Sequence, residues 1–253
     1  MAGILSVIKL RDAGYDNFVI YEKSARGGGT WRENTYPGAA CDIPAHLYAL
    51  SFAPKDDWSR TYAGQPEIAA YLREVTDRFG LAKHLALGTA VTGAVWDEAR
   101  SLWRVETDRG PLEARVLVSG MGALHHPAVP AIPGLHTFAG ALFHTAAWDH
   151  GVPLAGKRVG VIGTGASGMQ VGPSIVDEVA RLRIFQRSPH WAVHNPLYHA
   201  RVDEAKKWAL HLLPHYANWY RFQLFWASGD GLHRSLQVDP DWPTPDISLN
   251  AEN

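Results

Sequence analysis

The sequence predicts an α/β fold in which two strand–helix–strand units follow one another along the chain. Near the start, apolar residues at helical spacing over 4–8 precede a short apolar strand at 18–21. A second unit begins with the apolar strand 158–162, which leads into a glycine-rich turn and a further helical segment. The composition, 46% hydrophobic and 19% charged, provides enough apolar side chains for a large core. The length allows one large α/β domain or two smaller ones.

Charge and cysteine count exclude several classes of protein. The 253 residues have a formal net charge of −1, without the lysine and arginine surplus that nucleic-acid binding needs. Cys41 is the single cysteine, which excludes an intramolecular disulfide and a cysteine-based zinc site. The 13 histidines are scattered, so no metal site is predicted. No apolar run approaches the ~18 residues of a membrane-spanning helix, and we expect a soluble, cytoplasmic protein that binds neither nucleic acid nor membrane.

The first half of the chain is predicted to contain two helices, a strand, a glycine-rich loop and an antiparallel sheet. Ile4, Val7 and Ile8 share one face of the first helix, which Gly14 is expected to end. The strand at 18–21 closes with Glu22, and a glycine-rich loop at 25–31 follows it. The later elements are a helix from Pro66 to about Phe79 and a meander of three strands at about 91–96, 102–107 and 112–118.

The second half is predicted to begin with the second strand–helix–strand unit. Its helix is expected to extend to about Val179, and its second strand to cover 182–186. Helices and then a proline-rich loop are expected from about Pro196 onward. The aromatic stretch 208–226 is interpreted as core packing, with a membrane-surface or substrate-facing helix as the alternative.

The pattern Gly163-x-Gly165-x-x-Gly168 between a strand and a helix is typical of a dinucleotide site. The first glycine makes the turn, the second lets the backbone approach a pyrophosphate, and the third lets helix and strand pack closely. The helix N-terminus then offers free N–H groups and a partial positive charge to the phosphates. An ordinary glycine-rich turn is the alternative reading.

The end of the next strand favours NADP over NAD. An NAD site would place an acidic residue there, but the sequence is Gln186-Arg187-Ser188. An arginine can pair bidentately with a 2′-phosphate, and Ser188 can add a hydrogen bond. The alternative is a solvated surface arginine.

The N-terminal unit suggests a second dinucleotide, FAD. Gly3 stands where the third glycine of an earlier motif would lie, and Glu22 follows 22 − 3 = 19 residues later at a strand end. An acidic residue in that place can hold the hydroxyls of a ribose. The first strand and first two glycines of such a motif are absent, so we expect the chain to be a fragment.

The sequence resembles the Baeyer–Villiger monooxygenases, most of all their 4-hydroxyacetophenone monooxygenase branch. The long pattern that carries the resemblance is Phe138-x-Gly140-x-x-x-His144-x-x-x-Trp148-Asp149. Shorter similar segments are Gly28-Gly29-Thr30-Trp31, Asn34, Tyr36-Pro37-Gly38, Cys41-Asp42, Phe185-Gln186-Arg187-Ser188-Pro189, Asn195-Pro196, Trp219-Tyr220-Arg221-Phe222, Phe225-Trp226 and Asp239-Pro240-Asp241-Trp242-Pro243.

The resemblance implies two Rossmann-like dinucleotide-binding domains and an enzyme that uses FAD, NADPH and O₂. Such an enzyme inserts one oxygen atom next to a ketone carbonyl through a flavin peroxide and gives an ester or lactone. The branch implies an aryl ketone as substrate. The domains would be a partial FAD-binding domain with the meander at 1–136 and an NADPH-binding domain at 137–253, with a helical subdomain from about Pro196.

The resemblance and the motifs together give the candidate site residues. Asp42 is the candidate catalytic residue, expected beside the flavin, where it would tune a cationic partner. His144 is expected to orient the loop between the domains rather than to transfer a proton. The candidates for domain coupling are Phe138, Gly140, His144, Trp148 and Asp149. Those for FAD are Gly3, Glu22, Gly29, Thr30, Trp31, Asp42, Tyr48 and Val91. Those for NADP are Gly163, Thr164, Gly165, Ala166, Ser167, Gly168, Gln170, Arg187 and Ser188.

Two other functions remain open at the level of sequence. A flavin-containing monooxygenase acting on nitrogen or sulfur would share both dinucleotide sites, although the Trp148-Asp149 ending favours the Baeyer–Villiger type. A non-catalytic, truncated nucleotide-binding remnant is the second. The resemblance places the active-site arginine of the family beyond Asn253, so the chain by itself is expected not to turn over. A disulfide-reductase flavoprotein is disfavoured because it needs two redox cysteines.

Overall fold

The computed structural model divides the chain into two compact units, each formed from two separate stretches of sequence. It describes residues 1–123, 125–188 and 195–229. Unit 1 comprises Met1–Tyr36 and Gln65–Pro153, and unit 2 comprises Pro37–Gly64 and the described residues from Leu154 onward. The sequence-based division at 136/137 is contiguous and stays a prediction. The expected loop with the 239–243 segment, and Pro189, lie outside the described residues.

Seven helices and seven strands are found in the described part of the chain. The helices are α1 (Ala2–Asp12), α2 (Thr30–Glu33), α3 (Ala45–Tyr48), α4 (Gln65–Arg78), α5 (Ala166–Ile175), α6 (Glu204–Leu212) and α7 (Tyr216–Ser228). The strands are β1 (Ile20–Glu22), β2 (Leu85–Leu87), β3 (Val91–Asp97), β4 (Leu102–Thr107), β5 (Gly110–Ala114), β6 (Arg158–Ile162) and β7 (Arg181–Phe185).

Helix α1 buries Val7 and Ile8 and ends as its sequence predicts. Gly14 adopts φ +86°, and its N–H bonds to the carbonyl of Arg11. The next N–H, that of Tyr15, bonds to the carbonyl of Leu10 at 2.9 Å. This pair of bonds satisfies two carbonyls of the last turn and is the usual reason for a glycine after a helix. The predicted role of Gly14 is confirmed.

Strand β1 pairs in parallel with β2, a strand that periodicity did not reveal. Ile20 faces Leu85 and Glu22 faces Leu87 in the register. Strand β1 begins two residues later and ends one residue later than the strand expected at 18–21. Three residues directly after a 3₁₀ turn are too few to show an alternating pattern, which explains why β2 was missed.

Strands β3, β4 and β5 form the predicted antiparallel meander. The third strand is shorter than expected, since β5 ends at Ala114 and not near Val118. Ala114 pairs with Trp103, and β4 begins only one residue before Trp103. A strand needs a partner for its backbone N–H and carbonyl groups, so the antiparallel β5 ends beside the residue at which β4 begins.

The second strand–helix–strand unit has the predicted order, with β6 and β7 parallel. Helix α5 buries Val171 and Ile175 and ends at Ile175, earlier than the expected Val179. The N–H of Ala180 bonds to the carbonyl of Lys157 at 2.9 Å. The chain must leave the helix to make this bond, which starts the pairing of β7 with β6.

Helices α6 and α7 pack in unit 2 against the segment Pro37–Gly64. The Nη1 of Arg221 donates to the carbonyls of His46 and Ala49, at 2.9 and 2.8 Å, and so caps the C-terminal end of α3. The ring of Tyr220 meets His46 edge-on, with ring centroids 5.5 Å apart. The Nζ of Lys206 lies over the Tyr220 ring, 4.4 Å from its centroid.

The expectation that the aromatic stretch 208–226 packs in a core is wrong for most of its members. Leu210 and Tyr220 are buried. More than half of each of the following side chains is exposed among the described residues: Trp208, Trp219, Phe222, Phe225 and Trp226. The reason is that α7 uses one face for its contacts, and the other face has no described partner element. None of the described helices has the length and apolar character needed to cross a membrane.

Substitution of Gly38 by alanine is expected to destabilise unit 2. Gly38 has φ +81°, and a Cβ there would lie 2.6 Å from the carbonyl oxygen of Gln170 in α5. We expect the unfolding free energy to fall by about 2 kcal/mol or more in chemical denaturation. Gly27→Ala is the matched control because a Cβ there meets nothing within 4 Å. Equal effects of the two substitutions would contradict this account of Gly38.

Candidate functional site

Two of the three motif glycines are required by the fold itself. Gly163 follows β6 with φ +101°, and its N–H bonds to the carbonyl of Phe185 at 2.8 Å. A Cβ on Gly168 would lie 3.2 Å from the carbonyl carbon of Gly163 and nearer still to its oxygen. Helix α5 can therefore start beside the turn only if residue 168 has no side chain.

The middle glycine is not required by its surroundings. Gly165 has φ −67°, which any residue adopts, and a Cβ there would meet no described atom within 4 Å. It is also exposed and directly precedes α5, whose N-terminus has no side-chain cap. The turn thus leaves an open approach to the first N–H groups of α5, as expected for a site that receives a phosphate.

The candidates Thr164, Ala166 and Ser167 lie in this same turn and first helical residues. Arg187 and Ser188 follow β7, the strand that pairs with β6. Both are exposed, and the Nε2 of Gln186 donates to the carbonyl of Ser188 at 3.0 Å. No described carboxylate pairs with Arg187, whose guanidinium is available to an anion.

The candidate catalytic residue, Asp42, is bound to a residue of the NADP candidates. The Nε2 of Gln170 donates to Oδ1 of Asp42 at 3.0 Å, and the hydroxyl of Tyr198 donates to the same oxygen at 2.8 Å. Gln170 also donates to the carbonyl of Ala40 at 3.0 Å. All of these residues belong to unit 2. Gln170 was expected to hold NADP, and in the structure its amide holds Asp42.

Two neighbouring groups have raised pKa values. Burial, followed by the hydrogen bond to Asp42, raises the pKa of Tyr198 to about 12. The phenol therefore stays protonated near neutral pH and can donate to Asp42. Burial is also the main reason that the pKa of Cys41 rises to about 11. The Cys41 thiol stays protonated and is a poor nucleophile.

The candidate Tyr48 also lies in unit 2, as the last residue of α3, where it is half-buried. The other FAD candidates lie in unit 1: Gly3, Glu22, Gly29, Thr30, Trp31 and Val91. The predicted FAD residues are thus divided between the two units, whereas all the predicted NADP residues are in unit 2.

The end of β1 holds Glu22 in an ordered position. Its Oε1 accepts a hydrogen bond from the N–H of Ser24 at 3.0 Å and pairs with Nη1 of Arg32 at 3.3 Å. Both contacts use Oε1, so Oε2 has no described partner. Gly3, on α1, packs beside the strand, since a Cβ there would lie 3.6 Å from Cγ2 of Ile20.

The glycine loop leads into the short helix α2. Gly29 precedes the helix with φ +53°, and Thr30 is its first residue. Trp31 is buried, and its carbonyl accepts a hydrogen bond from Nε2 of Gln65 on α4. Val91, the first residue of β3, is exposed.

The long pattern from Phe138 to Asp149 lies in unit 1 as a series of turns. A Cβ on Gly140 would lie 2.6 Å from the ring of Phe138, so a larger residue there would displace this exposed ring from its present position. The Nδ1 of His144 accepts a hydrogen bond from the N–H of Ala146 at 3.1 Å. Trp148 meets Phe143 edge-on at 5.0 Å, and Asp149 accepts from the N–H of Gly151 at 2.8 Å. His144 thus shapes its own turn, which supports a positioning role.

Sequence reasoning missed two residues with evident roles at these sites. Tyr198 binds Asp42 but belongs to no recognised motif. The nearest sequence signal is the Asn195-Pro196 segment, two residues before it. Arg32, which pairs with Glu22, follows the recognised Gly28–Trp31 segment directly, but Lys23 and Arg26 lie nearer to Glu22 in the sequence, so no sequence signal singled it out. No group of three His, Cys, Asp or Glu side chains in the described part is placed to hold a metal ion.

Comparison with known proteins identifies the family. A family model described as pyridine nucleotide-disulphide oxidoreductase matches residues 1–212. A Baeyer–Villiger monooxygenase of Streptomyces coelicolor is 50% identical over 203 residues, which is 80% of this chain and 38% of that protein. A Baeyer–Villiger monooxygenase of Pseudomonas aeruginosa is 45% identical over 196 residues, 77% of this chain and 37% of that protein.

Solved structures show the same similarity in three dimensions. The open crystal structure of cyclohexanone monooxygenase has a TM-score of 0.75 and 42% identity, over 82% of this chain and 41% of that one. An OTEMO complex with FAD and NADP has a TM-score of 0.78 and 32% identity, over 90% of this chain and 43% of that one. The chain thus spans about two fifths of the length of the proteins it matches. It belongs to the pyridine nucleotide-disulphide oxidoreductase family, and the relatives and solved structures to which it is similar include Baeyer–Villiger monooxygenases and cyclohexanone monooxygenase.

Proposed function

We propose that the protein is an FAD- and NADPH-dependent monooxygenase of the Baeyer–Villiger type. It would convert a small ketone, O₂, NADPH and a proton into an ester or lactone, NADP⁺ and water. The relatives named Baeyer–Villiger monooxygenase and the solved complexes with FAD and NADP support this proposal. The similarity covers only part of those proteins, so the activity is a proposal for the protein and not a property shown for this chain.

The observation that carries the proposal is the open glycine turn before α5. Gly163 and Gly168 are required by the fold, but Gly165 is not, since a Cβ there would touch no described atom. A pyrophosphate that needs close contact with the backbone explains this glycine. The free N–H groups at the start of α5 would bind it, and Arg187 with Ser188 would bind a ribose 2′-phosphate.

The residues at the end of β1 fit the ribose of FAD. Arg32 and the N–H of Ser24 fix Oε1 of Glu22, and Oε2 remains available to accept from a ribose hydroxyl. Bound FAD would supply the transfer of electrons from NADPH to O₂, which no amino-acid side chain can carry out. We assign Asp42 to the flavin side of the site as a negatively charged group that a cation can pair with.

The chain's own residues bind and position rather than react. Glycine-turn N–H groups and Arg187 bind and orient the dinucleotide. His144 accepts from Ala146 through Nδ1, so this nitrogen carries no proton, and the residue shapes the turn before Trp148. We propose that the loop between the domains is oriented by five residues of the long pattern: Phe138, Gly140, His144, Trp148 and Asp149.

Oxidation of nitrogen or sulfur compounds is the second candidate reaction. The same two dinucleotide sites would serve it, but the Trp148-Asp149 ending and the names of the relatives favour ketone oxidation. The substrate class within the ketones follows only from resemblance to the 4-hydroxyacetophenone branch, which suggests aryl ketones. Several of the matched solved structures are of cyclohexanone monooxygenase, so both ketone classes belong in a test.

Gly165→Ala is expected to separate binding from folding. Because the added methyl group meets no described atom, the unfolding midpoint should change little. The same methyl group would lie where the pyrophosphate approaches, so we expect the dissociation constant for NADP⁺ to rise about tenfold or more. Isothermal titration calorimetry and thermal denaturation measure the two effects. An unchanged affinity for NADP⁺ would mean that the turn is not the pyrophosphate site.

Arg187→Ala is expected to weaken NADPH binding selectively. Loss of a charge-assisted contact to a phosphate costs about 1.5–3 kcal/mol, which corresponds to a rise of roughly 10- to 100-fold in the dissociation constant. Binding of NADH, which lacks the 2′-phosphate, should change by less than about threefold on the same reasoning. Arg181→Ala, an exposed arginine at the opposite end of β7, is the matched control. An equal loss for NADPH and NADH would contradict the assignment.

Residues 1–253 with added FAD and NADPH are expected to bind NADPH without oxidising it when a ketone is added. The reason is that the relatives have more than half of their length outside the matched segment. Absorbance at 340 nm with acetophenone and with cyclohexanone measures turnover. Consumption of NADPH that depends on either ketone would overturn this expectation, and it would place the whole catalytic machinery within these residues.

A further inference from the structure

The hydrogen bonds of Asp42 are unevenly divided between its two carboxylate oxygens. Tyr198 and Gln170 both donate to Oδ1, at 2.8 and 3.0 Å. No described residue donates to Oδ2, and no described lysine or arginine forms an ion pair with the carboxylate. Asp42 is exposed, although the two donors that hold it are partly buried. The carboxylate therefore has one saturated oxygen and one that can accept from a further group.

The amide of Gln170 can have only one orientation in this network. Its nitrogen lies 3.0 Å from the carbonyl of Ala40 and 3.0 Å from Oδ1 of Asp42, and both oxygens can only accept. A rotation that exchanged nitrogen and oxygen would bring acceptors against each other. The third contact, 2.9 Å from Nε2 to the hydroxyl oxygen of Tyr198, must share one of the two amide hydrogens with another acceptor, while the phenol donates its own proton to Asp42.

The ring of Tyr198 is held from a second side. It stacks on Tyr62, with centroids 5.3 Å apart and planes at 23°, and the hydroxyl of Tyr62 accepts from Nδ2 of Asn195 at 2.7 Å. Backbone bonds join the same two segments, since the N–H of Thr61 donates to the carbonyl of Ala200 at 3.0 Å. The phenol therefore reaches Asp42 from a fixed platform.

We propose that Tyr198 and Gln170 are positioning residues that fix the Asp42 carboxylate through Oδ1 and present Oδ2 to a bound ligand or a cationic group. The inference rests on the proposed function for the role of Asp42 and adds to it the residues that orient this carboxylate. It also reassigns Gln170 from binding the dinucleotide to holding Asp42.

Gln170 also connects Asp42 to the helix that begins at the proposed pyrophosphate turn. Gln170 lies in α5 only two residues after Gly168, the last glycine of the proposed pyrophosphate turn. One side chain therefore joins the helix that would receive the dinucleotide to the carboxylate assigned to the flavin side. The orientation of Asp42 depends directly on the position of α5.

The titration of Tyr198 tests the network without any ligand. It can be followed by nuclear magnetic resonance of ring-labelled tyrosine, with the Tyr198 signal assigned by its loss in Tyr198→Phe. In the unsubstituted chain the pKa of Tyr198 is expected near 12. Asp42→Ala removes the acceptor and the neighbouring negative charge, so it should lower this pKa. Gln170→Ala removes a donor that stabilises the phenolate, so it should raise this pKa.

The opposite signs separate positioning from a merely structural effect. A general loosening of the fold would move the Tyr198 titration in the same direction in both variants and would overturn the proposal, as would no movement in either. A double-mutant cycle of Tyr198→Phe with Asp42→Ala gives an independent measurement. We expect the single Tyr198→Phe change to raise the unfolding equilibrium constant roughly tenfold, and clearly less when Asp42 is already absent.

Matched controls keep the outcome interpretable. Tyr15→Phe, at an exposed tyrosine of unit 1, should leave the unfolding constant unchanged. Additive effects of Tyr198→Phe and Asp42→Ala would contradict the coupling. Both the titration and the cycle are made without dinucleotide, so their failure would leave the proposed function standing. A failure of Gly165→Ala or Arg187→Ala to affect NADP⁺ or NADPH binding would count against the function and not against this network.

Discussion

The close packing of the segment Pro37–Gly64 against helix α5 is the constraint on which the rest of unit 2 depends. Gly38 approaches the helix so nearly that a Cβ would lie 2.6 Å from the carbonyl oxygen of Gln170. This approach brings Asp42 within hydrogen-bond distance of the side chain of the same residue, Gln170. Tyr198 joins the same two partners from the other side. A shift of α5 by an ångström would disturb all of these contacts together.

The N-terminal end of helix α5 also forms part of the proposed dinucleotide turn. Gly168 permits α5 to start against the carbonyl of Gly163, and Gly165 keeps the approach to the first N–H groups open. The proposed dinucleotide turn and the network around Asp42 are thus built on one rigid element of ten residues. Because the turn and Gln170 belong to one helix, the distance between them is fixed without any further contact. This is a physical reason for a dinucleotide bound at the N-terminal end of α5 to influence the orientation of Gln170 and Asp42.

Local patterns predicted most of the elements, and the glycine turn between β6 and α5, correctly. Gly14, the three-stranded meander and the β6–α5–β7 unit depend on interactions between near neighbours in sequence, which a pattern can reveal. The errors have non-local causes. Strand β2 exists because β1 pairs with it, and β5 ends early because its antiparallel partner β4 begins only at Leu102. The exposed aromatic face of α7 reflects which neighbours that helix has. Periodicity alone contains none of this information.

The sequence by itself determined the family and the chemistry of the parts. The roles proposed for Gly163, Gly165 and Gly168, for Arg187 after β7 and for the segment from Phe138 to Asp149 follow from residue types and spacings that the sequence alone shows. Only the tertiary structure decided what surrounds Asp42. Gln170 and Tyr198 are 128 and 156 residues away from it along the chain. A contact over that separation arises from the packing of whole elements, and no local pattern specifies it.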